Sequence, residues 1–228
     1  MIDTQFFNFA FSVDCVIFGF DQDALKILLI RRGQKPFDGD WALPGNLVFP
    51  NEDLDFSATR VLEELTGMKK VFLEQVQTFG KVDRHPLGRV ITTAYFALVK
   101  VSDFSLIPSS LASEAAWVPI RDLDHLAFDH FEILRTCYEL LKKSIRVRPV
   151  GFELLPPEFT LTDLQLLYES ILETSLDKRN FRKKILAMNL LVDVKAMKRG
   201  FAHRPAKLYR FDEDKYKAFR AEGFVFEI

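Results

Sequence analysis

The run SIRVRPVGFELLPPEF, residues 144–159, carries three prolines and a glycine with no helical period, so it can continue neither the helix-forming sequence before it nor the one after it. A chain broken in this way has to build two cores. We expect one domain over residues 1–147 and a second over 148–228. The length allows this, since 228 residues exceed the usual range of about 100–200 for one domain. Apolar residues make up 48% of the chain and 23 residues are Phe, enough to fill two cores. No stretch approaches the roughly 18 uninterrupted apolar residues of a membrane-spanning helix.

Before the break, the pattern alternates between strand and helix signals. Residues 9–20 and 25–32 (LKILLIRR) are β-type runs separated by the turn-like DQDA, which reads as a hairpin or as neighbouring strands. Residues 33–53 contain Gly33, Pro36, Gly39, Pro44, Gly45 and Pro50, a density of breakers that excludes regular helix. Leu54 to Thr66 then places Phe56, Val61, Leu62 and Leu65 at helical spacing, and Gly67 supplies a stop. Three further β-type runs, near 71–80, 89–100 and 115–119, precede a helix over about 129–143. The apolar N-terminus opens with Asp3 and is interrupted by Asp14, which is not the layout of a signal peptide. Cys15 and Cys137 stand far apart without metal-type spacing, as expected of buried thiols in a reducing cytoplasm, with no membrane partner and no cofactor.

After the break, charge becomes the dominant feature. From Lys178 to Arg210 there are eleven basic residues against one acid, Asp193, an excess of ten positive charges in a chain whose net charge is −1. The rest of the protein is therefore acidic, and asymmetry of this kind points to a polyanionic partner. Thr160 and Asp177 are placed to cap two helices, over 161–173 and from 178 to about 188. LLVDVK and AKLYRF flank KRGFAHRP as a two-stranded wing with a basic tip. Helix, turn, basic helix and wing follow each other in the order of a winged helix-turn-helix that binds duplex DNA. On the basic helix Lys178, Arg179, Arg182 and Lys183 share one side, while Phe181, Ile185, Leu186 and Leu190 can face a core. Arg179, Asn180 and Arg182 are the candidates for reading base edges; the lysines, with Lys198, Arg199, His203 and Arg204 of the wing, are candidates for holding phosphate.

The segment Trp41–Met68 resembles a Nudix box, G-x5-E-x7-R-E-U-x-E-E-x-G-U with U aliphatic. In that register Glu52, Arg60, Glu64 and Gly67 match, Asn46 stands in place of glycine, and Val61 and Leu65 stand in place of glutamates. Nudix enzymes hydrolyse pyrophosphates with a divalent cation held by carboxylates. Positions 61, 64 and 65 share a helix face, so losing two of three carboxylates leaves no metal site and no catalytic residues. The alternative, a weak nucleoside-diphosphate-sugar hydrolase, would depend on Glu64, which can instead pair with Arg60 one turn away.

Over nearly its whole length the chain resembles the NrtR group of Nudix-related transcriptional regulators. Besides the box, the likeness includes DRHPLGRVITTAYFALV, LAFDHFEIL, FELLPPEFTLTDLQLLYESIL, LDKRNFRKKIL and RPAKLYRF. It implies an α+β chain, a Nudix-like α/β/α sandwich with a mixed sheet followed by a winged helix, that binds palindromic operator DNA as a homodimer. Members of the group sense either ADP-ribose-like metabolites of NAD or, in the AraR-type repressors of Bacteroidetes, a sugar. The ruined metal face favours release by a sugar such as L-arabinose, with ADP-ribose as the alternative. Asp14, Trp41, Asn46, Glu64 and Arg89 lie where a Nudix cleft would be lined and are the candidate effector contacts.

Overall fold

The computed structural model describes residues 9–21, 24–108, 111–198 and 206–228. It divides into two compact units, Met1–Gly19 with Lys26–Tyr138, and Phe20–Leu25 with Glu139–Ile228.

The first unit is built on a seven-stranded sheet. Strands β1 (Ala10–Asp21) and β2 (Ala24–Arg32) are neighbours, flanked by β3 (Trp41–Ala42) and β6 (Val90–Lys100), with β5 (Glu74–Phe79) outermost. In addition β4 (Gly45–Leu47) pairs antiparallel with β1, and β7 (Ala112–Pro119) pairs antiparallel with β2. β1 is buried continuously from Ser12 to Phe20 instead of on alternate residues, the signature of a strand covered on both faces. The breaker-rich stretch is more ordered than its composition suggests, because β3 and β4 both lie within it.

Helix α1 (Leu54–Thr66) starts and stops where its sequence indicates. The Asp53 carboxylate accepts the backbone N–H of Phe56, and Gly67 closes the helix in the left-handed region at φ 76°. Val61, Leu62 and Leu65 enter a core with Val13, Cys15, Ile17, Leu28 and Tyr95. Phe56 does not, being 59% exposed; Ser57 and Ala58 take the buried positions of that first turn. Helix α2 (His130–Val147) is longer than expected, and the division between the compact units falls inside it, before the expected boundary at residue 147.

The second unit begins with that helix's last turns and with a short 3-10 segment, Pro149–Leu154, over the proline-rich break. Strand β8 (Phe159–Thr160) leads into α3 (Leu161–Leu172), which carries a complete capping box between Thr160 and Asp163. Next come α4 (Lys178–Ala187), capped by Asp177, β9 (Leu191–Lys198) and β10 (Ala206–Phe211). The sheet order is β8-β10-β9. Leu164, Leu167, Tyr168, Ile171, Phe181, Ile185 and Leu190 are buried, whereas Leu186 is 46% exposed and does not join the core. A last helix, α5 (Glu213–Ala221), was not anticipated. Among the described residues no helix is long and apolar enough to cross a membrane.

Candidate functional site

The first unit contains a cavity of about 510 Å³, within the range of roughly 300–1,000 Å³ typical of ligand pockets. Its deepest chemistry is a buried polar cluster around Asp14. Thr92 Oγ1 on β6 donates to Asp14 Oδ2 at 2.7 Å, Arg84 NH2 lies 3.6 Å from the same oxygen, and His130 Nε2 lies 3.3 Å from Oδ1. Arg84 also holds Asp129 with two hydrogen bonds, 2.9 and 2.7 Å, the bidentate geometry that suits a guanidinium and a carboxylate. Space for Asp14 comes from its partner across the β1–β4 pair: a Cβ on Gly45 would stand 1.9 Å from Asp14 Oδ1.

His130 is the first residue of α2 and is buried throughout. The backbone N–H of Leu43 donates to its Nδ1 at 3.0 Å, so that nitrogen carries no proton and Nε2–H faces Asp14. Burial holds the ring's pKa below the ordinary 6.5, against the opposing pull of Asp14 and Asp129. The unfolded chain therefore binds a proton that the folded one refuses, and stability falls as pH drops below about 6.5. The loss is bounded at about 1.4 kcal/mol per pH unit for one proton. Thermal denaturation between pH 5 and 8 is expected to show this slope, and His130→Asn, which keeps an acceptor for Leu43, to flatten it. An unchanged slope in the variant would assign the effect elsewhere.

Above this cluster the cavity wall is cationic. Arg32, Lys35, Arg84 and Arg89 line it, with Asp14 as its one carboxylate among the described residues. Arg32 lies over the Phe128 ring at 4.8 Å, and His85 stacks on that ring at 5.0 Å. The Arg32 and Arg89 side chains bond to backbone carbonyls, Arg32 to those of Pro36 and Gln34 and Arg89 to those of Gly80 and Lys81. Among the described residues neither forms an ion pair. Their charge is available to an anion, and guanidinium groups held by carbonyls are well suited to phosphate oxygens.

The five effector candidates separate on this geometry. Asp14, Asn46 and Arg89 line the cavity, although Asp14 is engaged by its own neighbours. Trp41 is not in the lining; its backbone belongs to β3 and Arg31 lies over its ring at 5.5 Å. Glu64 is also outside it, with its carboxylate 3.0 Å from Arg60. Arg32, Lys35, Arg84, His85, Phe128 and His130 are among the lining residues that the sequence did not mark as candidates.

The box region does not fit a divalent cation. Val61 and Leu65 are buried apolar residues, and Leu65 lines the cavity where the resemblance places a glutamate. Both matching acids are tied to Arg60: Glu52 through hydrogen bonds of 2.7 and 2.8 Å, Glu64 through one of 3.0 Å. These bonds hold the Glu52 carboxyl down at about 2. Glu63, one position away, pairs with Lys69. Among the described residues no group of three or more His, Cys, Asp or Glu side chains could hold a metal ion.

In the second unit, Lys178, Arg179, Asn180 and Lys183 are exposed along α4, joined by Lys184, while Arg182 is half-buried. Lys198 ends β9 in register with Ala206. Arg199, His203 and Arg204, expected at the wing tip, lie outside the described residues.

Residues 8–140 match the NUDIX domain family, and residues 151–211 match the NrtR DNA-binding winged helix domain. The ADPR responsive transcriptional repressor NtrR of Acinetobacter baylyi is 39% identical over 206 residues, 88% of this chain and 81% of that protein. The fold is similar to that of Shewanella oneidensis NrtR complexed with a 27mer DNA, with a TM-score of 0.77 and 30% identity over 95% of this chain and 97% of that one. It is also similar to the NUDIX domain of the same NrtR complexed with ADP ribose, with a TM-score of 0.57 and 32% identity over 61% of this chain and 94% of that one. These relatives stand with ADP-ribose regulators, not with the AraR-type branch that the degenerate box had favoured. Two cores, a cavity walled by cations and a basic helix beside a winged sheet thus have a common explanation: the chain belongs to the NrtR family of transcriptional regulators, a NUDIX domain followed by an NrtR DNA-binding winged helix.

Proposed function

We propose that this protein is a transcriptional repressor that holds operator DNA through α4 and the wing and lets go when an ADP-ribose-like dinucleotide fills the cavity of the first unit. The observation that carries this reading is the cavity wall, where Arg32, Lys35 and Arg89 face a space with, among the described residues, a single and already engaged carboxylate. An uncharged sugar would cover these cations without returning any charge, an unfavourable exchange; a diphosphate compensates them. The preference for L-arabinose drawn from the sequence weighed the acids that α1 lacks and, apart from Arg89, missed the cations that other elements bring. ADP-ribose is also the ligand named for the A. baylyi relative and for the S. oneidensis NUDIX domain. With no carboxylate cluster in the box, the ligand is bound and not hydrolysed. Palindromic operators read by a homodimer complete the proposal, because two copies of α4 would then meet two half-sites about 34–36 Å apart.

A duplex selected from a random library by the full-length protein provides the probe. In a gel shift, ADP-ribose is expected to release that duplex and L-arabinose to leave it bound. Retention of the complex at saturating ADP-ribose would overturn the effector assignment. Mg²⁺-dependent breakdown of ADP-ribose by the purified protein would overturn its non-enzymatic part.

A further inference from the structure

Five of the polar side chains on α4, those of Lys178, Arg179, Asn180, Lys183 and Lys184, are exposed and make no ion pair with any described residue. Arg182 differs. Its guanidinium NH2 donates to Thr162 Oγ1 on α3 at 2.9 Å, and its Nε is buried without a hydrogen-bond partner, so the stem is packed against the protein instead of moving freely in solvent. Thr162 is exposed and stands in the first turn of α3, inside the Thr160–Asp163 capping box that fixes that end of the helix. A rigid point of α3 therefore grips one cation of the basic helix and only that one.

We propose that Thr162 is a positioning residue for DNA reading: it presets Arg182 as the fixed fork of α4, while the loose cations around it hold phosphate. The physical case is entropic. A free arginine has to give up its rotamer freedom on docking, whereas one already held by a neighbouring hydroxyl has lost that freedom before DNA arrives. A base edge accepts the planar fork in a narrow range of orientations, and a phosphate in many, so fixing one arginine sharpens sequence discrimination more than it raises general affinity. The inference rests on the DNA-binding role proposed for α4.

The experiment uses the full-length protein, the duplex it selects from a random library, and a scrambled duplex of the same length and composition. Thr162→Val removes the hydroxyl at nearly constant shape, and Thr162→Ser keeps it. Thr162→Val is expected to lower the ratio of selected to scrambled affinity about fivefold, the worth of one modest hydrogen bond. Thr162→Ser should stay within about twofold of wild type by the same measure. Because no phosphate-holding cation is removed, the dependence of log K on log salt should not change in either variant, whereas Lys183→Ala, which removes a cation assigned to phosphate, should make it shallower by about 0.9. A Thr162→Val ratio equal to wild type, or loss equally severe in Thr162→Ser, overturns the positioning role. An Arg182→Ala protein that discriminates normally removes Arg182 from the interface and the proposal with it. A library that enriches no duplex instead sinks the repressor reading on which the proposal stands.

Discussion

Replacing Asp14 by alanine is expected to lower the unfolding free energy of the first unit by about 3 kcal/mol, near the lower end of what breaking a buried pair costs. The carboxylate serves three neighbours at once: it accepts from Thr92 Oγ1, faces His130 Nε2 and balances Arg84. Its removal leaves two buried donors without partners. Arg84 keeps both hydrogen bonds to Asp129, which is why the loss should not reach the upper end of the range. Both tryptophans, Trp41 and Trp117, lie in the first unit, so denaturant titration followed by their fluorescence reports this unit. The midpoint should fall with an unchanged slope. Asp14→Asn keeps an acceptor for Thr92 and should fall between alanine and wild type. A midpoint within the equivalent of about 1 kcal/mol of wild type would show that the cluster is not a stabilising hub.

Arg89→Ala is expected to weaken ADP-ribose binding about tenfold, and the double variant with Arg32→Ala about a hundredfold, as measured by isothermal titration calorimetry. Each arginine is anchored through carbonyl acceptors and brings an uncompensated charge to the cavity wall. A charge-assisted hydrogen bond to phosphate is worth about 1.5–3 kcal/mol, and about 1.4 kcal/mol is one decade of affinity. Arg89→Lys keeps the charge without the planar fork and should recover part of the loss. Affinity for operator DNA in the absence of effector should not change, because the DNA-reading candidates belong to the other unit. Double-variant affinity equal to wild type would remove these arginines from the ligand site.

What could be read from the sequence was local. Gly67, Thr160 and Asp177 mark helix ends because capping acts over three or four residues, and these three cap as read; Asp53 and the Asp163 half of the capping box offered the same local signal unread. The Arg60–Glu64 pair was legible for the same reason. The cavity was not. Asp14 and Thr92 are 78 positions apart, Leu43 and His130 are 87, and Arg84 and Asp129 are 45, so no window along the chain contains their meeting. Arg32 closes the run LKILLIRR as one charge among many until the Phe128 ring beneath it gives it a place. Phe56 and Leu186 fit the helical period but lie where no neighbouring element covers them. α5 was missed because EDKYKAFRA is short and polar; its local signals were Asp212, which accepts the backbone N–H of Lys215, and the Glu213–Lys217 pair one turn apart.

Leu65 in the cavity wall has a consequence for what the cell can learn from this protein. An enzyme in this fold consumes what it binds, so its occupancy follows supply and its own turnover together. Under the proposed function, a methyl-bearing side chain in place of a metal-binding carboxylate returns the occupant intact, and occupancy then follows concentration alone. On that reading the cleft is a gauge and not an instrument of depletion.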